Sequence, residues 1–219
     1  MSEIVFFDLD DTLIFGQSQI MLVKYLFSRH KLNFLALIIT IIWMLLYKAG
    51  IIKDVLPAME KSYKIATGWG VEDAKILVRD FIKVEVKNKI YLRALKIIQE
   101  HKKQNRKIAV ISNSPQLIVD EISSFIKADY AFGTKLEIKN YIYTGRIDGK
   151  PLYGKQKAEF IMAIAVKEDW DLKNSFAYSD HYSDVFMMEL VGNPVAVNPD
   201  KKLRLIAKEK KWVIENFKI

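Results

Sequence analysis

The chain has 219 residues, 51% of them apolar and 27% charged, which allows one sizeable core with an insert and excludes a disordered chain. It contains no cysteine, which excludes disulfides, thiol nucleophiles and cysteine-ligated metal. Its net charge of +8 calls for an anionic partner, and nucleic acid, an acidic membrane face or a phosphorylated substrate would each meet that demand.

Ile4, Val5, Phe6 and Phe7 are apolar and β-favouring in succession, and read as a strand buried on both faces. Asp8 and Asp10 stand at its C-terminal end, where open α/β sheets bind ligands. With Asp11 they fall where a secretory signal needs its apolar middle, so no cleaved export peptide is expected and a cytoplasmic location is. Residues 17–28 read as a helix. Residues 32–47 carry no charge and lie between Arg29, His30 and Lys31 on one side and Lys48 on the other. A helix apolar all round is buried or meets lipid, and a spanning one needs about 20 residues. A single crossing would separate Asp8 from everything after Lys48. The run is therefore expected either to lie shallowly in one leaflet or to pack within a helical insert or a dimer.

Residues 71–86 and 90–104 show helical periodicity, the second with a basic C-terminal end that suits its dipole. Residues 107–111 read as a second buried strand. Ser114 then suits a helix cap and Pro115 a first helical position, which leaves Ser112 spare. A short strand at 130–133, a hairpin of 136–138 with 141–146 and a helix at 155–167 come next. A strand at 175–179 runs into Asp180, and Asp184 opens the following helix. A strand at 194–197 and a basic helix at 199–211 complete the chain. Strands alternating with helices predict an α/β fold with a Rossmann-like parallel sheet and right-handed crossovers.

In such a sheet the strand ends share one edge, so Asp8, Asp10, Ser112, Asn113 and Asp180 converge, with Lys157 and Asp184 on helix starts nearby. Acids gathered there repel one another unless a cation sits among them. With no cysteine and only His30, His101 and His181, an all-oxygen Mg²⁺ site is the expectation. A cation, a lysine and a Ser/Asn pair together make a receptor for a phosphoryl group.

FFDLDDTL, ISNSP, the lysine of GKQKAEF and YSDHYSD resemble, in order and spacing, the motifs of the haloacid dehalogenase superfamily of phosphatases. The long insertion between the first two motifs is similar to that of its subfamily IB, which includes phosphoserine phosphatase-like and phosphatidylglycerophosphatase C-like proteins. The resemblance implies that residues 1–16 and 88–219 form the catalytic core and 17–87 a helical cap. It implies that Asp8 is the nucleophile of an aspartyl-phosphate mechanism and Asp10 its general acid and base. By the same resemblance Asp8, Asp10 through its main-chain carbonyl, and Asp180 hold Mg²⁺, with Asp184 orienting the metal shell. Ser112, Asn113 and Lys157 would bind the phosphate, with Thr12 in the same site supporting the loop after Asp8; Lys155 is also within reach by sequence, but Lys157 fits the family spacing better. Asp11 stands where Gly or Ser is more usual, and Gln17 where phosphoserine phosphatases carry a glutamate for the substrate amine.

The expected activity is a Mg²⁺-dependent phosphomonoester hydrolase. A cap built around an apolar run suits a lipid phosphate, such as lysophosphatidate or phosphatidylglycerophosphate, with peripheral contact to an anionic membrane through the basic terminal helix. The alternative substrate is a small soluble phosphorylated metabolite, phosphoserine-like. Nucleic acid is not an expected partner, because the basic residues lack interleaved aromatic platforms.

Overall fold

The computed structural model describes residues 2–32 and 55–218, with 34, 35, 38, 39, 42 and 46 between them, so most of the 32–47 run lies outside the described residues. The strands are β1 (Ile4–Phe7), β2 (Lys107–Pro115), β3 (Tyr130–Thr134), β4 (Leu136–Lys139), β5 (Ile142–Ile147), β6 (Phe176–Ser179), β7 (Asn193–Val197) and β8 (Val213–Glu215). The helices include α1 (Ser18–Ser28), α2 (Val55–Tyr63), α3 (Val71–Phe81), α4 (Leu92–Lys103), α5 (Gln116–Ile126), α6 (Lys155–Glu168), α7 (Val185–Met188) and α8 (Lys201–Glu209).

One sheet runs β3-β2-β1-β6-β7-β8, parallel throughout, and β4 and β5 form a separate antiparallel hairpin. The strand order reverses beside β1. That point opens a crevice at the C-terminal ends of β1 and β6.

The apolar opening of the sequence explains why β1 lies at the centre. Val5 and Phe7 enter a layer with Ile97 and Ile98 of α4 and Ile118 and Ile122 of α5; Ile4 and Phe6 enter the opposite layer with Ile161, Met187 and Leu203. All four β1 side chains are fully buried. At roughly 1.5–3 kcal/mol for each buried side chain, β1 gains on the order of 6–12 kcal/mol, which fixes the backbone from which Asp8 emerges.

The structure corrects the sequence reading at Ser114 and Pro115, which belong to β2 rather than to a helix start. Pro115 pairs with Thr134 of β3 past an irregularity after Ile111. Gly133 permits this: a Cβ there would lie 2.6 Å from Gln116 Cα and 2.9 Å from Ser114 O. The helix expected over 71–86 ends at Phe81 and passes into a π turn, Ile82–Val86. β8 was not expected at all.

The β4–β5 hairpin is tied to the chain between α2 and α3. Gly68 N donates to Tyr143 O at 2.9 Å, Tyr143 N to Trp69 O at 2.9 Å and Val71 N to Tyr141 O at 3.0 Å. Asn140 and Tyr141, both with positive φ, make its tight turn.

Candidate active site

Asp8 follows β1 directly, and its N–H donates to Tyr178 O of β6 at 2.9 Å, so the two central strands hold it jointly. Its Oδ1 accepts from Lys157 Nζ at 2.8 Å. The same ammonium donates to Asp184 Oδ2 at 2.8 Å, which also accepts from Ser179 Oγ at 2.7 Å. Lys157 sits in the first turn of α6 and is 2% exposed, so its charge is committed to these two acids. Lys155 points elsewhere, its Nζ 5.4 Å from the centre of the Phe186 ring. Burial alone lowers the Lys157 ammonium, but Asp184 and Asp8 outweigh it and raise the group above the ordinary lysine value.

Asp10 faces the start of α1. Its Oδ1 accepts from Ser18 N at 2.7 Å, a free amide of the helix N-terminus, and its Oδ2 from Ser114 Oγ at a long 3.5 Å. Ser114 and Ser18 also share a 2.9 Å hydroxyl contact, which is the work Ser114 does in place of helix capping. Burial pushes Asp8 up to about 7 against the pull of Lys157, and Asp10 up to about 6 against its bond to Ser18.

Asp11 adopts a left-handed φ of 56°, a conformation that favours glycine. It recovers the cost by folding its loop: Oδ1 accepts from Gly16 N at 2.7 Å and Oδ2 from Gln17 Nε2 at 2.8 Å. Gln17 is thereby turned onto Asp11. Thr12 is fully buried in this loop, and its Oγ1 has no hydrogen-bond partner among the described residues.

On the other side of the crevice, Ser112 is buried and its Oγ accepts from Ser114 N at 3.1 Å, while Asn113 is half-buried. The main-chain carbonyl of Asn113 accepts from Tyr63 Oη of α2 at 2.6 Å. Sequence reading missed Tyr63, because nothing in an α2 sequence tells which strand end the helix will reach. Asp180 follows β6, and its carbonyl accepts from Asp200 N at 2.8 Å. His181 turns to Ser183 Oγ at 2.9 Å and Asp200 Oδ2 at 3.5 Å.

Among the described residues no three His, Cys, Asp or Glu side chains stand close enough to ligate one ion between them. The set expected from the sequence asks for less: side chains of Asp8 and Asp180 and the carbonyl of Asp10, all oxygen, with Asp184 behind. Asp180 gives the test of fit. Its carboxyl is pushed well up by burial and then by Asp8, Asp11, Asp184 and Asp10, every one an influence that a cation would reverse. Such an oxygen-rich, charge-deficient corner suits a hard divalent ion.

A family model for haloacid dehalogenase-like hydrolases matches residues 5–189. The chain belongs to this family. It is 31% identical over 218 residues to phosphoserine phosphatase SerB1 of Mycobacterium tuberculosis, a match covering 98% of this chain and 70% of that one. It is 32% identical over 215 residues to the inhibition of morphological differentiation protein of Streptomyces azureus, covering 97% and 77%. Among solved structures, a protein of unknown function from Bordetella pertussis Tohama I superposes with a TM-score of 0.89 at 21% identity, covering 98% of both chains. A substrate-bound phosphoserine phosphatase superposes with a TM-score of 0.72 at 19% identity, covering 99% of this chain and 93% of that one. The fold is shared with both solved structures, and the chain is a phosphatase of the haloacid dehalogenase type.

Proposed function

We propose that the chain is a Mg²⁺-dependent phosphomonoesterase that acts on a small phosphorylated molecule through an aspartyl-phosphate. The observation that carries the reading is the buried Lys157 ammonium shared between Asp8 and Asp184 at 2.8 Å each. It places one fixed positive charge beside the carboxylate that would meet a phosphate. Asp8 attacks phosphorus and the bond from phosphorus to the alcohol oxygen breaks; Asp10 gives that oxygen its proton. Asp10 then takes a proton from water, which attacks the phosphorus and returns Asp8 with release of phosphate. A carboxyl held at about 6 suits both halves of this exchange near neutral pH. Lys157, Ser112 and Asn113 bind the phosphoryl oxygens, and Thr12 supports the loop. Asp8, Asp180 and the Asp10 carbonyl would hold Mg²⁺, with Asp184 behind them, and the ion would supply positive charge to the transferring group. Residues 17–87 serve as the cap over a core of 1–16 and 88–219.

The name of the M. tuberculosis relative supports a small metabolite, and phosphoserine is the first substrate to test. Phosphate release from phosphoserine and a generic aryl phosphate, with Mg²⁺ and with chelator, tests the reading. Turnover that requires the ion and drops to background in Asp8→Asn is expected. Turnover that survives Asp8→Asn would overturn it.

A lipid phosphate at an anionic membrane is a second reading, favoured by one observation: Phe34, Leu35, Ile39 and Ile42 are exposed, next to the exposed Phe27. No helix among the described residues is long and apolar enough to cross a membrane. Sedimentation with anionic vesicles separates the two readings.

A further inference from the structure

Between the cap segment, the β4–β5 hairpin and α5 lies a cavity of about 540 Å³. Its walls are apolar: Leu22 from α1, Tyr63, Trp69 and Val78 from the 63–78 stretch, Pro115 from the end of β2, and Tyr143 from the hairpin. A few polar groups, Lys75, Lys135 and Asp148 among them, complete the lining. That size and balance are those of a small-molecule pocket rather than a packing defect.

Three of its lining residues, Leu22, Tyr63 and Pro115, lie close to residues of the candidate site. Leu22 is one helical turn, roughly 6 Å, beyond Ser18, whose amide holds Asp10. Pro115 is two residues beyond Asn113. Tyr63 belongs to both: it lines the cavity, and its hydroxyl donates to Asn113 O. We infer that this cavity receives the apolar body of the substrate's alcohol, so that the preferred phosphomonoester carries an alkyl or aryl group rather than an amino acid. The inference rests on the phosphomonoesterase reading. Gln17 agrees with it, since its amide is spent on Asp11 and carries no charge for a substrate ammonium.

The test is a series of n-alkyl phosphates from ethyl upward, kept below their aggregation limits, alongside phenylalkyl phosphates and phosphoserine, with Mg²⁺ present. If each methylene leaves water for the cavity, kcat/KM rises roughly threefold to fourfold per methylene until the space is full. Whichever series climbs more steeply distinguishes a flexible chain from a flat aromatic body. Ala66→Trp, from the cavity wall, is expected to flatten the slope. Val71→Phe, also in the lining, repeats the test should the first variant not fold. Turnover of short esters with no dependence on chain length overturns the apolar subsite and leaves the phosphatase reading standing. No turnover of any ester, ethyl included, overturns that reading and this inference with it.

Discussion

Among the described residues two basic side chains are buried, His101 and Lys157, and their surroundings have opposite effects on them. Lys157, at the C-terminal edge of the sheet, lies between Asp8 and Asp184 and keeps its charge. His101, on the last turn of α4, meets Tyr178 Oη at 2.9 Å and Arg106 Nη1 at 3.2 Å. Burial, and after it the Arg106 guanidinium, lower His101 to about 4, so it is neutral. The difference teaches where this fold tolerates an interior charge. Near the N-terminal ends of the strands the buried ring loses its proton; in the crevice the ammonium is kept, because the acids beside it would be worse off without it.

Removing Lys157 tests the first half of that contrast and carries the largest expected effect. Lys157→Met should abolish phosphate release and cost about 3–5 kcal/mol in denaturant unfolding at neutral pH, the penalty for leaving buried carboxylates unpaired. A variant as stable as the parent would show that the Lys157 ion pairs do not hold this corner together.

The pH dependence of stability separates the two regions next, because they titrate with opposite sign. Asp10, raised from 3.8 to about 6, binds more protons folded than unfolded within that window. Its contribution to stability in chelator therefore falls as pH rises, and Asp8, raised to about 7, extends the fall. His101, lowered from 6.5 to about 4, binds more protons unfolded, so its contribution grows as pH rises from about 4 to 6.5. At about 1.4 kcal/mol per pH unit, His101 supplies up to ~3 kcal/mol across that range. In His101→Phe, melting temperature should fall more steeply with pH between 4 and 6.5 than in the parent; an identical slope would mean the ring titrates normally.

The smallest effect concerns the hydroxyl that joins α2 to the crevice. Tyr63→Phe removes the 2.6 Å bond to Asn113 O and should cost about 1 kcal/mol, with a larger change in KM than in kcat. A kcat loss with KM unchanged would place Tyr63 at the reacting atoms instead.

The sheet and the positions of its acids were legible because β1 is apolar on both faces, and carboxylates interrupt it where a strand must end. Lys157 was legible only through motif spacing, since a lone lysine in a helix otherwise reads as a solvated charge. The start of α5 was misread for a physical reason: Ser and Pro are good helix openers locally, but pairing with β3 across Gly133 and the Ser114 bonds to Ser18 and Asp10 outweigh that preference. Tyr63, the cavity and β8 depend on contacts between segments far apart in sequence, which no local pattern encodes.

The backbone bonds from 68–71 to Tyr141 and Tyr143 also constrain domain swapping in the laboratory. A chimaera that exchanges the first insertion alone would strip the hairpin of its partner and leave raw N–H and C=O groups facing water, an invitation to aggregate. The transferable unit is discontinuous: the insertion and residues 136–147 have to travel as one cassette.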